Sequence, residues 1–272
     1  MRGTTLRPVT SESYLLGHDE REWDRLREQN ALWGPDLLTD LDELGLSSGQ
    51  RVCEVGCGAG HLLADLAAVV GPTGHATGLE RDPAAAGRAR RQAPTAQVLT
   101  GDLHDGIPGG PHDVVVARWV LSFLSTPRTA LAEMAQVTRP GGLVVVHDYV
   151  HDGVRLYPRT PSFEAVIAAY REAYRRAGGD LWVAGDVPAH LAALGLTDIQ
   201  VRPHVREGPA GSPVHRWVGR FVHEHLHTVI KAGLLSAEAA ETFRADWLRV
   251  SEIQGSRLIS PLQLTVSGRV PG

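Results

Sequence analysis

The sequence predicts a doubly wound, mostly parallel α/β sheet of seven strands, with a helical leader before it and helices inserted late in it. Three observations predict this. Residues 52–60, Val-Cys-Glu-Val-Gly-Cys-Gly-Ala-Gly, pass from an apolar run into three alternating glycines and then into His61–Ala67 with helical spacing, the order strand, tight turn, helix. Strand-like and helix-like segments then alternate to residue 150, which implies parallel strands joined by right-handed crossovers. Beyond residue 150 the pattern turns helical, with only two further strand-like segments. The expected divisions are a leader and cover over 1–34, an α/β core over 35–150, and a region over 151–272 that holds lid helices and the last strands of the same sheet.

Taken in order, residues 1–12 read as a loose tail. Asp19 is placed to cap a helix that runs to about Trp33. Its apolar stripe is partial, and Arg21, Arg25, Glu28 and Gln29 lie on its other side, so packing and site-facing readings both stand. Pro35 is expected to start a second helix, Leu37 to Leu44, closed by Gly45. After the glycine turn come a strand at 75–80, a helix from Asp82-Pro83 to about Gln92, and a strand at 96–100. Asp113 to Ala117 is apolar on both faces, as a central parallel strand must be. Thr126-Pro127 opens a helix, and Arg139-Pro140-Gly141-Gly142 turns into a strand at 143–148. Then follow a long helix from Thr160-Pro161, a shorter one at 187–194, a strand at 199–205, and a joint at 208–213 rich in Gly and Pro. Two helices at 214–231 and 236–250 precede a final strand, 258–266, expected at an edge and antiparallel. The inserted helices are expected to roof the sheet's C-terminal edge.

Bulk properties exclude several classes. The net charge of −4 offers no basic footprint for nucleic acid. Of 27 basic residues only Lys231 is lysine, which with abundant Ala and Gly reads as codon bias of a GC-rich genome. Cys53 and Cys57 are about 13 Å apart along extended chain, too far for a disulfide, and read as buried thiols in a reducing cytoplasm. No run approaches ~18 apolar residues, so no membrane partner is expected. The first five residues lack a signal peptide's apolar core. A cytoplasmic protein is expected, and a homodimer is left open.

The stations after each strand carry the chemistry. A dinucleotide site wants G-x-G-x-x-G, with pyrophosphate on the helix start. Here the order is G-x-G-x-G over Gly56, Gly58 and Gly60, with Glu54 just before it. An acid there repels phosphate and attracts an ammonium. Glu80 ends the second strand, where a carboxylate can accept both hydroxyls of a ribose. Asp102 is placed to hydrogen-bond an adenine amino group while Leu103 covers the ring. Ala117-Arg118-Trp119 leaves the fourth strand, where open α/β sheets bind ligands.

These stations, from Glu54–Gly60 through Glu80, Gly101-Asp102 and Asp113–Arg118 to Arg139–Gly142, resemble the successive motifs of small-molecule class I S-adenosylmethionine (SAM) methyltransferases. The resemblance covers roughly residues 50–150. The leader Tyr14–His18 with Arg25–Gln29 is similar to a bacterial subgroup related to ubiquinone/menaquinone-biosynthesis methyltransferases, whose members often act on specialised metabolites. The resemblance implies a Rossmann-like methyltransferase fold, SAM as cofactor and S-adenosylhomocysteine as product. It implies that Glu54 serves the methionine end, Glu80 the ribose and Asp102 the adenine, with Tyr14 and Arg25 toward the methionine carboxylate. The family shares no single catalytic residue, so the resemblance is silent on a base.

One motif misleads. His223-Glu224-His225-Leu226-His227 matches H-E-x-x-H of zinc proteases. At 100° per residue, Trp217, Val218, Phe221, Val222 and Val229 share one arc, and His223 and His227 fall opposite, toward solvent. No metal is expected. His225 falls on the apolar arc, and His147, Asp148, Tyr149 and His151 end the fifth strand. His151, Tyr149 and His225 are the candidate bases, against the plainer readings of capping and core histidines.

The reading that follows is a SAM-dependent methyltransferase acting on O or N, less readily C, of a small, partly apolar or aromatic metabolite. An NAD-dependent oxidoreductase is opposed by Glu54 and by the glycine spacing. A SAM-binding protein with non-methylating chemistry shares the same binding motifs and stays open.

Overall fold

The computed structural model describes residues 20–272. Tyr14, the Tyr14–His18 leader and the Asp19 cap lie outside the described residues. The first element is one helix, α1 (Glu20–Glu43), where the sequence predicts two. Pro35 sits inside it. Proline removes one N–H and leaves the carbonyl four residues back without its helical partner. That carbonyl belongs to Ala31, and both residues are exposed, so water can take the place of the missing bond. Trp33, Leu37 and Leu41, all fully buried, anchor the helix on both sides of the proline. The helix therefore runs across the expected 34/35 division.

The main sheet holds β1 (Arg51–Val55), β2 (His75–Glu80), β3 (Gln97–Thr100), β4 (His112–Arg118), β5 (Thr138–Val150), β7 (Thr197–His204) and β10 (Leu262–Arg269). Their order is β3-β2-β1-β4-β5-β10-β7, and only β10 runs against its neighbours. The seven-stranded, mostly parallel sheet matches the sequence reading. The last strand does not lie at an edge: β10 pairs β5 on one side and β7 on the other. Its Gln263, Thr265, Val266 and Ser267 are buried, while β7 alternates with solvent as an edge strand does. The valine runs Val114–Val116 and Val144–Val146 fill the centre, buried on both faces.

Helices cover both faces. On one side α2 (His61–Val70) and α3 (Pro83–Gln92) share a core with the second half of α1. On the other lie α4 (Pro127–Gln136) and α6 (Val183–Ala193). The sequence reading put residues of α6 in the lid. Its Val183, Val187 and Leu191 instead pack in the sheet's own core.

Three helices form the roof: α5 (Pro161–Arg176), α7 (Pro213–Lys231) and α8 (Ala237–Ser251). They have a separate core, which includes Phe163, Val222, Phe243 and Trp247 and takes in Trp33 of α1. A small second sheet joins this roof to the frame. Its strands are β6 (Arg155–Tyr157), β9 (Arg257–Ile259) and β8 (Glu207–Pro209), with β9 central and antiparallel to both. Sequence pattern alone missed it, because three-residue strands carry no measurable alternation.

The Gly- and Pro-rich joint is tied into the fold, and so is Gly179. Gly208 lies in β8, paired with Leu258. A Cβ on Gly179 would come within 2.4 Å of the Ser122 carbonyl oxygen, so that glycine permits a close approach. The next residue's N–H, of Asp180, donates to the same carbonyl at 2.9 Å.

Candidate functional site

The strand order reverses between β1 and β4, and ligands of open α/β sheets bind at such a switch point. Two cavities open there and share Leu26, Gly56, Gly58, Trp119 and Phe123. One, of about 850 Å³, is lined by Glu80, Asp102 and Leu103. The other, of about 1170 Å³, runs from Glu54 and the glycine loop to the roof.

The loop's three glycines do different work. At Gly58 (φ 52°) an added Cβ would meet nothing within 4 Å, so its α-carbon faces open space between the cavities. Gly56 lines both cavities as well. Gly60 lines neither, and a Cβ there would clash with the Ala89 backbone of α3 at 2.7 Å. It is a packing glycine, which corrects its expected place against the ligand. Ala117 is likewise corrected: it lines neither cavity, and its methyl group sits in the core beneath α4.

Glu80 is held by the loop it faces. Its Oε2 accepts from the Gly58 N–H at 2.8 Å and its Oε1 from the Asp82 N–H at 2.9 Å. Each oxygen keeps a lone pair for a hydroxyl. Asp102 caps the short turn Leu103–Asp105, with Oδ1 accepting from the His104 N–H at 3.0 Å and lying 2.9 Å from His104 Nδ1. Burial raises its carboxyl, and the His104 contacts outweigh that and hold it below its ordinary value. Leu103 is buried beside it on the wall.

At the junction of the cavities Glu54 is buried, with Oε2 unpaired. Burial pushes its carboxyl up to about 8, although the Arg118 guanidinium pulls it down and Glu80 adds to the rise. Arg118 follows on β4, with its Nη1 also shielded and unpaired. A buried unpaired acceptor and a buried unpaired donor on one wall are costly unless a ligand supplies partners. An amino-acid end, with its ammonium and carboxylate, supplies both.

Helix α1 faces this junction with its polar side. Arg25 and Gln29 are buried there, and Arg25 Nη1 donates to Gln29 Oε1 at 2.6 Å. The same oxygen accepts from Trp217 Nε1 of α7 at 3.1 Å, so Gln29 stitches leader to roof. Trp23 packs on Ala59 and Ala85 over the smaller cavity. Sequence reading placed Gln29 on the helix's polar side without a partner, and did not single out Trp23.

Trp119 lines both cavities in a left-handed backbone conformation, φ 51°. Such a conformation costs about 1–3 kcal/mol in a non-glycine residue and needs support. Its Nε1 donates to Gln263 Oε1 at 2.8 Å, and His147 Nε2 donates to the same oxygen at 2.9 Å. His147 Nδ1 lies 2.9 Å from Thr265 Oγ1, which lies 3.3 Å from His204 Nε2, itself 2.7 Å from Asp40. Burial above all, then Arg118 and His204, drive the His147 imidazole down to about 3, so it is neutral.

The three candidate bases separate. Tyr149 lines the larger cavity, stacked on Trp119 with ring centres 6.1 Å apart. His151 lines it too, with its ring held from one side. Arg171 Nε donates to His151 Nδ1 at 3.2 Å, and Arg171 Nη2 donates to the His151 carbonyl. Arginine only donates, so Nδ1 is the acceptor and the proton sits on Nε2. Burial, then Arg171, lowers the imidazole to about 4. His225 lines neither cavity. It is buried behind Phe221, and its Nδ1 donates to the Phe221 carbonyl at 2.9 Å.

The H-E-x-x-H stretch forms no metal cluster, and no group that could hold a metal ion occurs among the described residues. His227 is exposed as expected. His223 is half-buried against α8, with ring centres 5.0 Å from Phe243, rather than free in solvent. No helix among the described residues is long and apolar enough to cross a membrane.

Residues 53–146 match a family model described as a methyltransferase domain. Over 159 residues the chain is 26% identical to a demethylmenaquinone methyltransferase of Staphylococcus aureus, covering 55% of this chain and 62% of the relative. It is 25% identical over 146 residues to a trans-aconitate 2-methyltransferase of Azoarcus sp. (strain BH72), covering 53% and 56%. A 37.1 kDa protein in transposon TN4556 of Streptomyces fradiae is 33% identical over 43% of this chain and 36% of its own length. The chain thus spans between a third and two thirds of these relatives. Among solved structures, a Bacillus halodurans C-125 protein superposes with a TM-score of 0.57 at 16% identity, covering 86% of this chain and 99% of that one. Phosphoethanolamine N-methyltransferase 2 of Haemonchus contortus, in complex with SAM, gives 0.54 at 14%, covering 88% and 53%. The chain thus carries a match to a methyltransferase domain over residues 53–146, set in the fold that these solved structures share.

Proposed function

We propose that the protein transfers a methyl group from SAM to an oxygen or nitrogen of a small, flat, partly apolar metabolite, in specialised metabolism and in the cytoplasm. The observation that carries this is the junction between the cavities, where buried Glu54 Oε2 and Arg118 Nη1 await partners beside the open α-carbon of Gly58. In this reading Glu54 faces the ammonium, Arg25 and Arg118 the carboxylate, Glu80 the ribose hydroxyls, and Asp102 with Leu103 the adenine. Bound there, SAM supplies an activated methyl carbon. The chain has then to align the acceptor with that carbon and exclude water. Trp119, Phe123 and Tyr149 on the frame, with Tyr170, Trp217 and Phe221 on the roof, provide an aromatic wall for the acceptor.

The test has two readouts. Calorimetry should show SAM binding, with Glu80→Ala weakening it by about 10- to 100-fold, since a lost charged hydrogen-bond acceptor costs about 1.5–3 kcal/mol. Methyl transfer from labelled SAM to a panel of phenols, acids and amines should follow. Unchanged affinity in Glu80→Ala would sink the ribose assignment. Tight binding with no transfer to any panel member would favour a non-methylating SAM-binding protein.

A further inference from the structure

The larger cavity is rich in donors and positive charge and poor in proton acceptors. Among the described residues Glu54 is the only carboxylate on its lining, against Arg25 and Arg118. His61, also on the lining, lies near Arg118, Arg27 and Asp65. At the acceptor end Arg171 occupies His151 Nδ1, which leaves Nε2–H as the free position of that lining imidazole. The Tyr170 hydroxyl donates to the Val222 carbonyl at 2.8 Å and is spent on the roof.

We propose that the methyl acceptor is a preformed oxyanion, a carboxylate or phenolate on a flat apolar body, and that His151 binds that oxygen as a hydrogen-bond donor. The proposal rests on the cofactor reading above. With SAM in place, Glu54 is opposite the ammonium and the two arginines are opposite the carboxylate. Arg171 beside the imidazole, only partly offset by Asp152, then leaves positive charge at the acceptor end, and the sulfonium of SAM adds to it. An anion relieves that excess, and an ammonium adds to it. The neutral state of His151 fits the same role, since an imidazole so depressed takes up no proton near pH 7.

The step balances without a base. The acceptor oxygen's own lone pair forms the new bond to carbon while the carbon–sulfur pair returns to sulfur. The anion's charge and the sulfonium's charge cancel, and no proton has to leave. This accounts for a lining histidine whose free ring position carries a proton rather than a lone pair.

The experiment uses the whole chain saturated with S-adenosylhomocysteine and four probes of one body: benzoate, 4-nitrophenolate, benzyl alcohol and benzylammonium. Saturation-transfer NMR titrations at pH 8 should give at least tenfold tighter binding for one of the two anions than for the alcohol or the ammonium. Benzoate in front points to a carboxylate acceptor, and 4-nitrophenolate in front to a phenolate. His151→Gln keeps an N–H donor and should keep the preference. His151→Leu should lose it tenfold or more at unchanged S-adenosylhomocysteine affinity. Equal or tighter binding of the ammonium or the alcohol, binding of neither anion, or a preference that survives His151→Leu would overturn the proposal. Failure of the unaltered chain to take up S-adenosylhomocysteine would instead overturn the cofactor reading, and that titration is read first.

Discussion

Glu54 carries two opposed demands. Burial lifts its folded value to about 8 from an ordinary 4.5, so the ligand-free fold holds a proton that the unfolded chain has lost. Stability therefore falls as pH rises from about 4.5 to about 8. An ammonium beside the carboxyl reverses the preference, so cofactor binding at pH 7 should release that proton. Calorimetry of S-adenosylhomocysteine in phosphate and in Tris should show heats that differ accordingly. Glu54→Gln should abolish the difference, weaken binding, and raise the Tm of the ligand-free protein at pH 8. Unchanged binding with the same proton release would remove Glu54 from the site. Glu54, Gly58, Glu80 and Asp102 were legible in the sequence because each follows or ends a strand, and local spacing fixes where it points. The bonds of Gln29 to Trp217 and of Gln263 to Trp119 were not, since these partners lie 188 and 144 residues away. His151 was legible in place, but which ring nitrogen carries its proton was not, because Arg171, twenty residues on, decides the tautomer.

At the scale of elements, β10 decides more than a late strand normally would. Lying between β5 and β7, it brings Gln263 under Trp119 and Thr265 beside His147. Gln263→Leu would leave two buried donors without an acceptor, at about 1–3 kcal/mol each. We expect Tm to fall by roughly 5–10 °C and S-adenosylhomocysteine affinity to fall at least fivefold, because Trp119 faces both cavities. Unchanged affinity in the folded variant would show that Trp119 keeps its place without that bond. The alternation of strands and helices up to residue 150 was readable because each element buries a face of its own. The break at Pro35 was misread, since tertiary anchors at Trp33, Leu37 and Leu41 outweigh one lost helical bond. The edge assignment of β10 was misread because pairing order is not written in a strand's own pattern.

For the whole molecule, the roof is a second core fastened to the first. The small sheet, the Gln29 bridge and the Gly179 contact hold it at three places. Packing argues against bending at Gly179. Gly179→Ala would push a methyl group into the Ser122 carbonyl, and overpacking of this kind costs about 1–3 kcal/mol. A measurable fall in Tm is expected, with cofactor affinity within about twofold once folded. A variant with unchanged Tm and altered turnover would restore Gly179 as a hinge. The placing of β9 and β10 has a further consequence during synthesis. Residues 51–204 can leave the ribosome with six of the seven main strands made, yet β5 and β7 have no shared partner until 262–269 emerge. Until then the nascent chain shows two open strand edges, and the roof lacks the central strand of its small sheet. Both halves of the molecule are completed by residues 257–269, so a chain halted before them would be sticky and unfinished rather than a smaller working one.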